Sequence, residues 1–502
     1  MSIPNSRSIG IVGAGTMGEG IAQVAAGAGH QVLLFDVRSG AASDAIDRIA
    51  GRLARSVERG KRTQPEADAV IAQLGTAASL DDFSRVGLVI EAAVENLEAK
   101  QGIFRELDSI VPTDALFASN TSSISITAIA SAIADPKRLA GFHFFNPAPA
   151  MALVEVVAGL ATAADTMDTL VDLALAWGKT PIRTISSPGF VGNRVARPFY
   201  GEALRMLEEG VADAFTIDSL VRGSGGFPMG PFQLMDLVGI DVNLAVSTSV
   251  WEATSHDPRF APSFVQREMV SSGRLGRKSG RGFHRYDDAA TEPLLPIVVP
   301  GSMPRAIEVV GDAGALQGLV DRLVQGGVRV DRVFGGKPHL RVGAVRVALT
   351  DGATATTLDL SPNTAVIDLA HDYSAISIIG VAVSDGASPD TITTVAGMLA
   401  AAGIRCVQVD DSPGLVVGRI VASLVNLAAD TVHFGIASPR DVDAAMRLGF
   451  GYPIGPLAWG DKIGPGWVAD VVGNLHEFYQ EPRYRVSPLV RRRVASGDSL
   501  VS

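Results

Sequence analysis

A stretch near residue 190 is written twice. Pro188-Gly189-Phe190-Val191 returns as Pro413-Gly414-Leu415-Val416, 225 residues further on. The same offset carries Asp218 to Asp443, Gly226-Phe227-Pro228 to Gly451-Tyr452-Pro453, Gly230-Pro231 to Gly455-Pro456 and Asp236 to Asp461. Matches held in one register without a gap mark a duplicated unit, here a helical one. With 502 residues the chain exceeds a single hydrophobic core, so three or four domains are expected.

The N-terminus constrains the first of them. Ser8 to Val12 is a short apolar run, and Gly13-Ala14-Gly15-Thr16-Met17-Gly18 follows at once. Ile21-Ala22-Gln23-Val24-Ala25 continues as a helix of small residues, and a second strand, Gln31 to Phe35, ends at Asp36. Strand, glycine turn, helix, strand and acid in this order form a dinucleotide-binding fingerprint. Gly13 allows the tight turn, Gly15 lets the backbone approach a pyrophosphate, and Gly18 lets helix and strand touch. Thr16 and Met17 open the helix, whose free N–H groups and positive dipole end favour phosphate. Asp36 accepts from both ribose hydroxyls and repels a 2′-phosphate, which favours NAD over NADP, with Arg38 as a counter-indication. FAD-binding chains share the pattern, so the fingerprint alone does not prove a nicotinamide.

Bulk properties exclude several classes. Hydrophobic residues make up 47% and charged residues 19%, as in an ordinary globular protein. A net charge of −10 gives no support to a nucleic-acid partner. One cysteine, Cys406, excludes an intrachain disulfide and a Cys-rich metal site, and no metal is expected. No signal peptide is visible, apolar runs are interrupted too soon to span a bilayer, and mitochondrial import is unsupported. The expectation is a cytoplasmic protein with no membrane partner.

Further on, Val86 to Ala93 reads as a buried strand followed by Val94-Glu95-Asn96 and a helix carrying Lys100. Leu116 to Ala118 leads into Ser119-Asn120-Thr121-Ser122-Ser123, polar residues at the strand edge where open α/β sheets bind ligands. They also suit an N-cap for the helix after Ile124, and both uses are compatible. His143 lies in Gly141-Phe142-His143-Phe144-Phe145-Asn146-Pro147, where a lone histidine among aromatics is more often a core residue than a catalyst. Glu155, however, is the one acid in the apolar strand Leu153 to Val157, and a buried carboxylate needs a partner. Pairing with His143 would fix the imidazole tautomer and raise its basicity. Oxidising an alcohol needs such a base for the hydroxyl proton. A Tyr/Lys design is absent, since no Tyr precedes Tyr200, and a zinc design lacks its ligands.

These residues resemble the 3-hydroxyacyl-CoA dehydrogenase family. The matching stretches are Gly13 to Gly18, Val94 to Leu97, Ser119 to Ser122, His143 to Pro147, Leu153 to Val156, Pro188 to Arg194 and Gly226 to Pro231, running from residue 8 to about 286. The resemblance implies NAD as cofactor, an acyl-CoA thioester as substrate, His143 as general base and Glu155 as its partner. It implies that Ser122 and Asn193 hold the reacting oxygen, the thioester carbonyl and the imidazole. Glu95, Lys100, Ser122 and Asn146 would lie near the nicotinamide and its ribose, and Lys278 would reach the cofactor as domains close, although it also reads as a solvated turn charge. The family's CoA-holding helix is not matched cleanly: Arg52 to Arg62 is basic, but no residue there is assigned to a phosphate.

The second half looks worn. Laid on the first turn, Gly13 falls on Gly311, Gly15 on Ala313 and Gly18 on Leu316, while Asn193 falls on Gly418. Between Asp368 and Pro413 no counterpart of the Ser122 or His143 segments is visible. The expected fold is therefore a Rossmann-type α/β domain followed by an all-helical domain, the pair repeated in degenerate form. The expected boundaries are 1–186, 187–287, 288–408 and 409–502, with a linker at Asp287 to Pro293 and Pro296 to Pro304. The second helical copy is expected to form an intrachain pseudo-dimer with the first, with or without a homo-oligomer. The leading activity is oxidation of an L-3-hydroxyacyl-CoA, with an architecture like enzymes acting on 3-hydroxyadipyl-CoA in phenylacetate breakdown or on 3-hydroxybutyryl-CoA. Two alternatives stand beside it: a dehydrogenase of a sugar acid such as gulonate, and a cofactor-binding structural protein without turnover.

Overall fold

In the computed structural model residues 3, 7–287, 293–358 and 363–502 are described. The core of the expected linker, 288–292, lies outside them. They form two compact units, Met1–Arg194 with Phe434–Phe450, and Val195–His433 with Gly451–Ser502.

Unit one is built on eight strands: β1 (Ile9–Val12), β2 (Val32–Phe35), β3 (Leu74–Thr76), β4 (Leu88–Glu91), β5 (Leu116–Ser119), β6 (Leu139–Phe144), β7 (Leu153–Ala158) and β8 (Thr180–Ile185). Their order is β3-β2-β1-β4-β5-β6-β7-β8, parallel apart from the antiparallel β6/β7 pair. A sheet of continuous apolar runs must be covered on both faces. One face carries Ile9, Ile11, Leu34, Ile90 and Val154 under the helices Thr16–Gly27, Ala41–Glu58 and Ala164–Ala176. The other carries Val12, Val89, Phe117 and Val157 with the helices Leu97–Asp108 and Ile126–Ala130.

The helix Pro439–Phe450, from the far end of the chain, completes this unit. Just ahead of it, the Ile436 carbonyl accepts the Ile185 N–H at 3.0 Å and the Thr184 hydroxyl at 3.0 Å. At its other end the helix lies close on β7: a Cβ on Gly449 would come 2.6 Å from Leu153 Cδ2.

Unit two holds a seven-stranded sheet: β9 (Ala306–Val310), β10 (Arg329–Val333), β11 (His339–Val342), β12 (Val345–Leu349), β13 (Thr364–Ile367), β14 (Ile378–Val383) and β15 (Arg405–Gln408). The order is β10-β9-β11-β12-β13-β14-β15. Among the described residues no strand corresponds to β3, and β11, where β4 would stand, runs antiparallel to β9 in a hairpin with β12. The prolines at 296–304 do not make a detached tether: Ile297 bridges Val407, and Val298 donates to the Cys406 carbonyl at 2.9 Å.

Starts of β13, β14 and β15 fall 225 residues after those of β6, β7 and β8, and helix Pro389–Ala401 falls 225 after Ala164–Ala176. The duplication thus begins far upstream of the sequence match. Sheet two is covered in the same manner as sheet one. The Val211 carbonyl, just before helix Ala214–Gly223, accepts the Asp410 N–H at 3.0 Å, the counterpart of the Ile185–Ile436 bond. Ser224 then donates to the Ile378 carbonyl at 2.9 Å. Each sheet therefore carries a helix drawn from the other helical copy.

Within unit two the helical copies also pack on each other. Phe227 and Tyr452, equivalent residues, meet with ring centroids 5.0 Å apart. Such self-matching contact is what a two-fold, isologous interface produces. Arg419, fully buried on helix Val417–His433, pairs with Glu202 at 2.8 Å and Glu209 at 2.7 Å.

Candidate active site

Each glycine of the first turn has a distinct reason. Gly13 has φ +105°, and a Cβ on it would strike the Ala92 carbonyl at 2.5 Å. At Gly18 a Cβ would lie 1.8 Å from the Gly13 carbonyl, so strand and helix touch only because it is glycine. A Cβ on Gly15 would meet no protein atom within 4 Å. A glycine without a packing reason at the N-cap of Thr16–Gly27 suits a pyrophosphate that must approach the backbone closely. Asp36 accepts the Ala14 N–H at 2.8 Å and the Arg38 Nε–H at 3.1 Å. Burial opposes its charge, but the Arg38 side chain and the Ala14 amide outweigh it and hold the carboxyl below its ordinary range. The acid that would meet the adenosine ribose is thus ionised and sits against the turn. These residues fit a dinucleotide without a 2′-phosphate. Among the described residues, no group of three or more His, Cys, Asp or Glu side chains is gathered to hold a metal.

The next two strand ends are tied together by acids. Glu91, fully buried at the end of β4, accepts from Lys100 Nζ at 2.6 Å, the Ser119 hydroxyl at 2.6 Å and the Ala93 N–H at 2.7 Å. Lys100, 1% exposed, also reaches Glu95 at 3.3 Å. Glu95 takes the Thr121 hydroxyl at 2.6 Å and the N–H groups of Ser122 and Ser123 at 3.1 and 3.2 Å. Burial works to raise its pKa, yet Thr121 and the Lys100 charge prevail and hold it below the ordinary glutamate range. Glu95, Lys100 and the Ser122 loop are therefore one network. Glu91, which anchors it, was overlooked in the sequence because a terminal strand acid looks solvated. The helix cap expected from the serine cluster belongs instead to Ser125, whose hydroxyl accepts the Ala128 N–H at 3.2 Å.

His143 and Glu155 face one another across the β6/β7 pair, with Nδ1 to Oε2 at 2.6 Å. His143 is 6% exposed and Glu155 wholly buried. The second oxygen of Glu155 accepts the N–H groups of Val191 and Gly192 at 3.1 and 2.9 Å, so both are satisfied. Those two amides were not foreseen; the recurring Pro188-Gly189-Phe190-Val191 stretch leads straight into them. Phe145 tilts over the imidazole with centroids 4.6 Å apart, and Phe190 meets it edge-on at 5.9 Å. Asn193 follows directly on Gly192 in helix Gly192–Val195. Asn146 is exposed in the turn after β6.

Lys278 lies in unit two and binds both oxygens of Asp241 at 2.6 and 2.7 Å. On helix Ala41–Glu58, Arg48 and Arg52 are engaged with Glu19, which explains part of the basic run as a helix-to-helix clamp.

In the second copy the His143 strand does have a counterpart, contrary to the reading from sequence: β13, with Asp368 at the histidine's place and Gly380 opposite it where Glu155 would stand. Strand register also sets β12 against β5, which brings Asp351 to the place of Ser122. Asp368 takes over the amide-binding role of Glu155, accepting from Val416, Val417 and Gly418 at 3.2, 2.8 and 2.9 Å. Burial pushes its pKa up to about 6 despite those bonds. The second turn keeps Gly311 at φ +70° but borders a cavity of about 570 Å³ lined by Asp312, Asp351, Asp470 and Lys337. Three carboxylates against one ammonium oppose a pyrophosphate. The second copy preserves the fold around a vanished dyad.

Comparison with known proteins agrees with this geometry. The family pattern "3-hydroxyacyl-CoA dehydrogenase, NAD binding domain" matches residues 8–187, and its C-terminal domain matches both 189–286 and 414–499. A "3-hydroxybutyryl-CoA dehydrogenase reduced Rossmann-fold domain" matches 347–413. The chain is 43% identical over 490 residues to a 3-hydroxyadipyl-CoA dehydrogenase of Escherichia coli K12, covering 97% of this chain and 98% of that protein. It is 42% identical over 282 residues to a probable 3-hydroxybutyryl-CoA dehydrogenase of Bacillus subtilis, 56% of this chain and 98% of that protein. A solved 3-hydroxybutyryl-CoA dehydrogenase from E. coli K12 superposes with a TM-score of 0.89 at 41% identity, covering 98% of this chain and 99% of that one. The glycine turn and the duplicated helical domain thus belong to an NAD-dependent oxidoreductase, and the chain is a member of the 3-hydroxyacyl-CoA dehydrogenase family.

Proposed function

We propose that the chain oxidises L-3-hydroxyacyl-CoA thioesters to 3-oxoacyl-CoA, with 3-hydroxyadipyl-CoA preferred over 3-hydroxybutyryl-CoA. The reading rests on the 2.6 Å contact between His143 Nδ1 and the buried Glu155 carboxylate. With Nδ1–H donating to Glu155, Nε2 is left as the acceptor, so the imidazole is in the tautomer that takes a hydroxyl proton. As that proton arrives, the adjacent carboxylate stabilises the imidazolium, and neither charge is left alone in the core. NAD, when bound, supplies the acceptor for the hydride that leaves C3. Gly15 and the Thr16–Gly27 N-terminus would hold its pyrophosphate, and Asp36 would select an unphosphorylated ribose. Ser122, on the loop fixed by Glu95, and Asn193, beside the amides bound by Glu155, are assigned to the substrate oxygens. In reduction His143 returns the proton.

The preference for a dicarboxyl chain is motivated by likeness to the E. coli 3-hydroxyadipyl-CoA enzyme across nearly the full chain. No single helix among the described residues is long and apolar enough to cross a membrane, although one pair bent by 100°, Pro231–Val238 with Ile240–Ala253, passes by length and composition together. The cytoplasm is the setting we propose. The deciding experiment follows NADH absorbance with a panel of 3-hydroxyacyl-CoAs differing in length and terminal charge. The expected result is turnover, with the highest kcat/KM on hydroxyadipyl-CoA. Equal or better turnover of hydroxybutyryl-CoA would remove the preference, and no NADH with any thioester would remove the activity.

A further inference from the structure

The proposed base does not stand in its own domain's residues alone. Phe145, tilted over the His143 ring, is itself backed by Phe450, with centroids 5.9 Å apart at 75°. Phe450 is the last residue of helix Pro439–Phe450, supplied by the second helical copy. The fit is close: a Cβ on Gly192 would come within 2.7 Å of Phe450 Cε2 and 3.3 Å of Phe145 Cζ. Gly192 is also one of the two amides that hold Glu155. The dyad and the Phe145/Phe450 pair are therefore packed as one piece.

The second copy supplies an internal control. Its sheet is covered by the equivalent helix, with the equivalent carbonyl bond, Val211 to Asp410. The offset of 225 equates Phe145 with Ala370, Phe450 with Gly225, Phe190 with Leu415 and Gly192 with Val417. All three rings around the histidine are gone where the histidine has become Asp368, yet the helix still docks. Docking a helix on the sheet does not need the aromatic pair. Holding an imidazole in place does, because a ring free to tilt loses the alignment on which proton transfer depends.

We infer that Phe450, lent by the degenerate half, is a positioning residue of the first active site, clamping Phe145 against His143 and closing that side of the imidazole to water. The inference rests on His143 being the base, as proposed above. It makes the second half a working part of the reaction centre.

The test uses the full chain carrying Phe450→Ala, Phe450→Leu or Thr184→Val, with His143→Ala as reference. Phe450→Ala is expected to lower kcat roughly tenfold and to raise the primary isotope effect for 3-deuterated substrate, with KM and NAD affinity nearly unchanged. Phe450→Leu, which keeps apolar bulk and safeguards folding, should recover part of the rate and part of the isotope effect. Thr184→Val removes a helix-docking bond away from the ring and should keep the parental rate. Parental kcat in Phe450→Ala, or an equal loss in Thr184→Val, overturns the clamp while leaving the base assignment intact. Substantial turnover by His143→Ala would instead overturn the base, and the clamp with it.

Discussion

Glu155 has three donors and two oxygens, and each donor has a separate consequence. Glu155→Gln keeps the shape but offers His143 an ambiguous partner, so kcat should fall by about 10²–10⁴ with NAD affinity unchanged, measured by steady-state rates and NAD titration. Glu155→Ala leaves two buried amides and an imidazole unpaired, and should also cost ~2–4 kcal/mol in urea unfolding. Asp368 carries a pH signature. Its native pKa is about 6 against an unfolded value near 3.8, so the native state binds the proton more tightly. Its burial penalty is absent below the lower value and fully felt above the higher one. Relative to Asp368→Asn, the parent should lose ~3 kcal/mol of stability between pH 4 and pH 7, read from paired urea or thermal scans. His143 and Glu155 were both legible in the sequence, because a single acid in an apolar strand demands a partner. The amides of Val191 and Gly192 were not, since backbone donors carry no residue signature. Nor was Phe450, which reads as ordinary core until a distant helix is placed.

At the level of elements, the glycine turn separates binding from folding. Gly15 has room for a side chain, and Gly18 has none. Gly15→Val should leave stability within about 0.5 kcal/mol yet weaken NAD by tenfold or more, whereas Gly18→Val should cost ~3 kcal/mol or more in addition. Thermal scans and NAD titration on the two variants distinguish the cases; a stable Gly18→Val, or a Gly15→Val that binds NAD normally, would contradict them. The turn and its flanking strands were readable because each residue type there has a steric reason. The strands of the second sheet were harder. Leu139-Ala140-Gly141-Phe142-His143-Phe144 and Thr364-Ala365-Val366-Ile367-Asp368-Leu369 occupy the same register, but buried apolar residues interchange freely, so only the backbone preserved the likeness.

For the molecule as a whole, the exchanged helices couple the copies. A fragment ending at Asp287 lacks Pro439–Phe450 and leaves Leu153, fully buried in the intact chain, without its cover. The same fragment's Ala214–Gly223 helix loses the sheet it normally covers. We expect it to associate in pairs, each copy's Ala214–Gly223 helix lying on the other's β7 and β8, as light scattering at twice the fragment mass would show. A fully active monomer would show that the exchange is dispensable. The crossing also sets a timetable for biogenesis. Once Arg194 has been synthesised, the ribosome must add the 239 residues from Val195 to His433 before the covering segment begins. At about 5–20 residues per second that interval lasts roughly 12–48 s. Throughout it the nascent first half leaves Leu153 on β7 without its covering helix, which makes this stage of translation the natural point of engagement for a chaperone.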